Sequence, residues 1–167
     1  MASKPKKDYK RAEHGFPPLV FPDSKVLILG SFPSVKSREA AFFYGHPQNR
    51  FWPLLAKIAN ESTPVTIEEK TDFCKRHHYA LYDSIESCSI IGSSDATIKD
   101  VEPSDLQSII QGTEISLIIC NGKASLHYFE LYQNHIQVPH ICLPSTSPAN
   151  AAFSLDRLAK EWGEILK

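Results

Sequence analysis

The sequence predicts an α/β domain, a three-layer α/β/α sandwich around a central, mostly parallel four-stranded sheet. Two observations carry this expectation. Short apolar runs, "KVLILG", "YALYD", "SLIIC" and "HICL", have the length and the apolar continuity of strands buried on both faces. Between them lie segments with helical spacing and helix-start signals, and right-handed crossovers between parallel strands place such helices on both faces of a sheet.

Each element has its own signal. Lys25 to Gly30 is the first expected strand, and Arg50 to Glu61 reads as a helix with Pro53 tolerable only in its first turn. Thr66 and Glu69 stand at capping-box spacing and open the helix "TIEEKTDFCKRH", after which Tyr79 to Asp83 returns as a strand. "PSDLQSIIQG" is a short helix closed by Gly112, Ser116 to Cys120 a third strand, "KASLHYFELY" a helix, and His140 to Leu143 the fourth strand. A last helix follows "PSTSPAN", with Phe153, Leu155, Leu158, Ala159, Trp162 and Leu166 forming a core-facing stripe.

Length and composition set bounds. A chain of 167 residues, 42% hydrophobic and 22% charged, suits one domain spanning residues 1–167. The net charge of −1 advertises no global attraction to nucleic acid, and only "SKPKKDYKR" is markedly basic. Residues 1–15 are therefore expected to be a flexible basic segment, a reading favoured over a phosphate-binding arm. No apolar run approaches the roughly 18 residues that span a bilayer, and no apolar stretch follows the first lysines, so a cytoplasmic monomer without a membrane partner is expected. Cys74, Cys88, Cys120 and Cys142 form no C-x-x-C pair and read as buried thiols, so neither a metal nor a cofactor is expected.

In parallel sheets, ligands bind beyond the carboxyl ends of the strands, and all four ends here carry unusual segments. The first is followed by "GSFPS" and "FFYGHPQNRFW", in which Phe42, Phe43, Tyr44, Phe51 and Trp52 surround His46, Gln48 and Asn49. The second is followed by "DSIESCSIIGSSD", the third by "NG" and the fourth by "PSTSPAN". Asn121 leaves a buried run, and an amide offers an acceptor and a donor to one edge of a planar ring. Taken alone, Asn-Gly reads as a turn. Joined to rings for stacking and to small-residue loops that can approach phosphates, it suits a nucleobase drawn out of a duplex.

These segments, "LGSFPSVKSREAAFFYGHPQNRFW", "ALYDSIESCSIIGSSDATI", "IICNG" and "LPSTSPANA", resemble the successive active-site segments of the uracil-DNA glycosylase superfamily, most closely its hypoxanthine-DNA (deoxyinosine) glycosylase branch. The resemblance runs from about Val26 to the final helix. It implies a base-excision DNA repair hydrolase acting on DNA with deaminated bases: hypoxanthine first, then uracil or xanthine. By position Tyr44 resembles the aromatic that stacks on the flipped base, Asn121 the Asn that reads its edge, and Ser145 to Ala149 the loop that pinches phosphates and probes the minor groove. Ser31, Phe32, Tyr44, His46 and Asn121 form the expected base-binding set. Ser34, Ser145, Thr146, Ser147, Pro148, Ala149 and Asn150 form the expected DNA-binding set.

Two departures from the superfamily pattern matter. Phe32 in "GSFP" stands where most branches carry an Asp or Asn that positions water, and Ser145 stands where many relatives have a His. The hypoxanthine branch is similar in lacking the first group, and the resemblance gives that work to the Asn of "HPxN", here Asn49. Asn49 and Asn121 are thus the expected catalytic residues. A neutral amide suffices if the sugar becomes oxocarbenium-like, because fields that stabilise charge then matter more than a strong base. Asp83 is the one carboxylate at a strand terminus and reads as a cap or an alternative water-binder. Lys36 and Lys123 have no desolvating surroundings, so a monofunctional hydrolase is expected over a lyase. Three alternatives remain at this stage: a G:U/T mismatch-specific branch, which shares "HPxNRFW", a catalytically weak nucleic-acid-binding module, and an enzyme of free nucleosides.

Overall fold

The computed structural model describes residues 8–166. In chain order these form β1 (Lys10–Glu13), β2 (Val26–Gly30), α1 (Val35–Ala40), α2 (Phe51–Ala59), α3 (Ile67–His77), β3 (Tyr79–Asp83), β4 (Ile85–Ile90), β5 (Lys99–Pro103), α4 (Leu106–Ile110), β6 (Leu117–Asn121), α5 (Lys123–Tyr132), β7 (His140–Leu143) and α6 (Leu155–Leu166).

The four expected strands form one parallel sheet in the order β3-β2-β6-β7. The chain leaves β2 toward β3 on one side and later passes to β6 and β7 on the other. Right-handed crossovers therefore put α1 to α3 on one face and α4 and α5 on the opposite one. α6 packs on α2 and joins the first layer. Trp162 at 0% exposure fixes that contact, with its ring edge-on to Phe51 at 6.4 Å. The stripe on α6 is core-facing as expected, Leu158 and Trp162 being buried and Phe153, Leu155, Ala159 and Leu166 packed beside them. The Thr66 hydroxyl accepts from Glu69 N at 3.0 Å, which makes the expected cap of α3.

Three differences from the sequence reading have physical causes. First, residues 10–15 are not a flexible segment: β1 pairs antiparallel with β4 from Lys10 opposite Ile90 to Glu13 opposite Ser87, and His14 is fully buried. Lys10, Arg11 and Glu13 are exposed, while Ala12 packs inward; residues 1–7 of the same expectation lie outside the described residues. Second, "DSIESCSIIGSSD" is not all loop, since β4 occupies most of it and pairs with β5 and β1 in a separate three-stranded sheet. That sheet covers a small second core of Ala12, Phe32, Ile85, Cys88 and Ile90. Third, Cys142 is exposed, whereas Cys74, Cys88 and Cys120 are buried; on β7, which pairs on one side only, the alternate face is uncovered.

No described helix is long and apolar enough to cross a membrane. Among the described residues, no group of His, Cys, Asp or Glu could hold a metal ion.

Candidate active site

The carboxyl ends of β2, β3 and β6 and the loop after β7 meet at one cavity of about 290 Å³. It lies at the small end of ligand sites, which run from about 300 to 1,000 Å³. The position follows from topology, because strand order reverses between β2 and β6. All the expected site residues except Asn150 line it: Ser31, Phe32, Ser34, Tyr44, His46, Asn49, Asn121, Ser145, Thr146, Ser147, Pro148 and Ala149.

Most of the aromatic stretch is structural. Phe43, Phe51 and Trp52 are buried in the main core, and the Trp52 indole N–H donates to Phe43 O at 3.1 Å. Phe43 also borders the cavity, beside the half-buried Tyr44. Tyr44 lies parallel on Phe51 at 3.8 Å, in the left-handed backbone region at φ 53. One face is thus covered by the core, and burial, reinforced by the Asp83 charge, pushes its hydroxyl pKa up.

The two asparagines are joined through Thr146, which is 0% exposed. Thr146 N–H donates to Asn121 Oδ1 at 3.1 Å, and Asn121 Nδ2 donates to Thr146 Oγ1 at 3.1 Å and to the Tyr44 hydroxyl at 3.3 Å. Thr146 Oγ1 in turn donates to Asn49 Oδ1 at 2.8 Å, and that same oxygen caps α2 by accepting from Phe51 N at 2.9 Å. Two donors fix the Asn49 amide, so Oδ1 faces the protein and Nδ2 is left for a ligand. Asn121, by contrast, has both protons of its Nδ2 engaged and keeps only one lone pair on Oδ1. It braces the site around Tyr44 and Thr146 more than it presents a free edge.

The loop that supplies Thr146 is held from below by Arg50, which sequence reading passed over. Its guanidinium donates to Ser147 O at 2.8 Å, to Asn150 O at 3.0 Å, to Thr146 O at 3.4 Å and to Phe153 O. A planar fork of donors is matched here to a ring of carbonyls, so Arg50 reads no phosphate. Asn150 Nδ2 donates to Ser145 O at 3.0 Å, which closes the loop and leaves Pro148 and Ala149 exposed at its tip. Gly122, at φ +96, opens α5 rather than a turn, and a Cβ there would lie 2.8 Å from Ser145 Cβ. The Asn-Gly pair is thus set by close approach of this loop.

The remaining expected residues have mixed roles. The Phe32 ring sits mainly in the small second core, at 7% exposure, and shows one side to the cavity. Its apolar character suits that core, which is why no polar water-positioner occupies the position. The Ser31 hydroxyl donates to Asp95 Oδ1 at 2.8 Å. Asp95 was not singled out from the sequence. Although the residue as a whole is exposed, its carboxyl turns into the cavity, where desolvation raises its pKa against the lowering effect of the Ser31 bond. Ser34 caps α1, accepting from Ser37 N at 3.1 Å, and His46 Nδ1 accepts from Gln48 N at 3.1 Å, which leaves Nε2 outward.

The sequence model for the uracil DNA glycosylase superfamily matches residues 17–165. The chain belongs to that superfamily. A hypoxanthine DNA glycosylase from Methanosarcina acetivorans is 31% identical over 157 residues, 93% of this chain and 98% of that protein. One from Methanosarcina barkeri is 32% identical over 158 residues, with the same shares covered. The solution NMR structure of a candidate uracil DNA glycosylase from Methanosarcina acetivorans superposes with a TM-score of 0.76 at 31% identity, covering 91% of this chain and 94% of that one. The superfamily segments fall on the cavity walls, and the fold matches the expected three-layer sandwich.

Proposed function

We propose that this protein is a monofunctional DNA glycosylase that hydrolyses the N-glycosidic bond of hypoxanthine flipped out of DNA. Its product is an abasic site, and it works as a cytoplasmic monomer without metal or cofactor. The observation that carries the reading is the cavity at the strand ends, where Asn49 is fixed with its amide nitrogen unengaged among the described residues, in a chain of this superfamily whose curated relatives bear the hypoxanthine glycosylase name.

In the reaction the C1′–N9 bond breaks and its electron pair leaves on the base. Water oxygen then bonds to C1′ and the water proton passes to solvent. Asn49 Nδ2–H donates to the water oxygen. It acts as a donor and not as a base, which suffices for a sugar that is already cationic in character. The open face of Tyr44 stacks on the base. Backbone groups of the loop from Ser145 to Ala149 contact the DNA strand, and its tip enters the gap left by the flipped nucleotide.

A labelled duplex series carrying deoxyinosine, deoxyuridine, deoxyxanthosine or thymine opposite each base, cleaved with alkali after incubation, tests the substrate assignment. Alkali-dependent cleavage is expected with deoxyinosine above the other three. A protein that cuts only G:U and G:T pairs belongs to the mismatch-specific reading instead, and one that binds duplexes without cutting any is a binding module.

A further inference from the structure

We propose that the buried pair His14–Asp83 is the specificity element of this site, with Asp83 Oδ1 accepting the ring N1–H of the flipped base. The inference rests on the glycosylase reading above. Asp83 ends β3, opposite Gly30 in register, and is 5% exposed. It lines the cavity, and its Oδ1 has no hydrogen-bond partner among the described residues. Oδ2 is held by His14 Nε2 at 2.7 Å.

The partners of His14 settle what Oδ1 can do. His14 Nδ1 faces Phe16 O at 3.0 Å, and a carbonyl only accepts, so Nδ1 carries a proton. The proton between Nε2 and Oδ2 can sit on either atom, as imidazolium with carboxylate or as imidazole with carboxylic acid. In both placements it lies on the Oδ2 side, and Oδ1 offers lone pairs alone. The ring of His14 is clamped between Tyr82 at 4.1 Å and Phe16 at 4.3 Å, so the acceptor is rigidly aimed.

Depth chooses the edge that it meets. The sugar stays outside with the DNA strand, so a purine enters with the edge farthest from N9 leading, which is the N1–C6 edge. Asp83, 5% exposed, sits at the strand ends beside Gly30, near the Tyr44 hydroxyl, whereas Pro148 and Ala149 are exposed at the rim. Hypoxanthine carries a proton on N1; adenine has a lone pair there, which an acceptor-only oxygen repels. The pair thereby separates hypoxanthine from adenine, its parent base, a discrimination that the braced Asn121 amide is poorly placed to make.

The experiment compares single-turnover excision of deoxyinosine and of 1-methyldeoxyinosine, which lacks the N1 proton. In Asp83→Ala the ratio of the two rates should fall about 100-fold or more, because a site built around a hydrogen bond discriminates strongly only while its polar partner is present. Asp83→Asn should keep deoxyinosine excision within about tenfold, since imidazole Nε2 can accept the new amide N–H and leave Oδ1 in the cavity. Gly30→Ala is the second variant: its Cβ would overlap Asp83 Oδ1 and lie 3.5 Å from the Tyr44 hydroxyl, so the carboxylate must shift and the ratio should fall there also. Equal loss on both substrates in Asp83→Ala or Gly30→Ala would mean a structural role and overturn the proposal. So would an Asp83→Asn protein as defective as the alanine variant. If the wild-type protein excises no hypoxanthine at all, it is the glycosylase reading that fails.

Discussion

Thr146→Val removes one hydroxyl and keeps the side-chain shape. The residue is 0% exposed, so no water replaces the lost oxygen, and one Nδ2 proton of Asn121 is left without an acceptor. Asn49 Oδ1 loses its 2.8 Å donor and keeps only the Phe51 N–H. An unsatisfied buried donor costs about 1 to 3 kcal/mol and the second lost bond about 1 more, so the fold should weaken by roughly 2 to 4 kcal/mol. For a domain of this size that lowers Tm by roughly 4 to 15 °C. The greater effect is on geometry: an Asn49 amide free to rotate misplaces the water, and errors near 1 Å cost about 100-fold in rate. Single-turnover kinetics on a deoxyinosine duplex should therefore show kcat reduced by ten- to a hundredfold with KM little changed. Thr146→Ser keeps the hydroxyl and should retain kcat within a few-fold despite a small loss of Tm. A folded Thr146→Val protein with the wild-type kcat would refute the view that Thr146 orients Asn49.

Other expectations concern the same loop and the reaction type. Arg50→Lys replaces a five-donor fork by a point charge, so the segment from Ser147 to Phe153 should become the first site of limited proteolysis, and duplex affinity should fall about tenfold or more. Ala149 offers only a methyl at the exposed tip, so excision should be slowest where the lesion is well paired; Ala149→Leu should raise the rate most on that substrate, with equal rates on paired, mismatched and single-stranded deoxyinosine contradicting this. Asn121→Ala removes the brace on Tyr44 and Thr146 and should lower excision by about 100-fold, in line with roughly 2 to 4 kcal/mol for a buried bidentate amide. Activity should persist in EDTA, and borohydride should trap no covalent protein–DNA adduct, because the step uses water and not a lysine.

The parts of this fold written in local pattern were legible beforehand. The four parallel strands fall within a residue of their expected bounds because each is a continuous apolar run between helix signals, and Thr66 and Gly122 show why local chemistry succeeds or misleads. Thr66 caps a helix through an oxygen three residues from its partner. Gly122 is required by Ser145, distant in sequence, and so looked like an ordinary turn. β1, β4 and β5 were missed for the same reason: they are short and polar on one face, and become strands only by pairing with one another. The site was legible as a set of strand ends and illegible as a network. Asn49, Asn121 and Tyr44 were named from the sequence, but the links through Thr146, the Arg50 clamp and the His14–Asp83 pair all join segments far apart in the chain. Single-sequence periodicity carries no information about such contacts.

The most direct test of the account is chromatographic detection of free hypoxanthine released from a deoxyinosine duplex under single-turnover conditions, with wild type and Asn49→Ala run side by side. Wild type should release stoichiometric hypoxanthine and leave an intact, alkali-labile strand, and a folded Asn49→Ala protein should react at least about 100-fold more slowly. Release of hypoxanthine at the same rate by both proteins would contradict the place given to Asn49, and no release by either would contradict the assigned reaction.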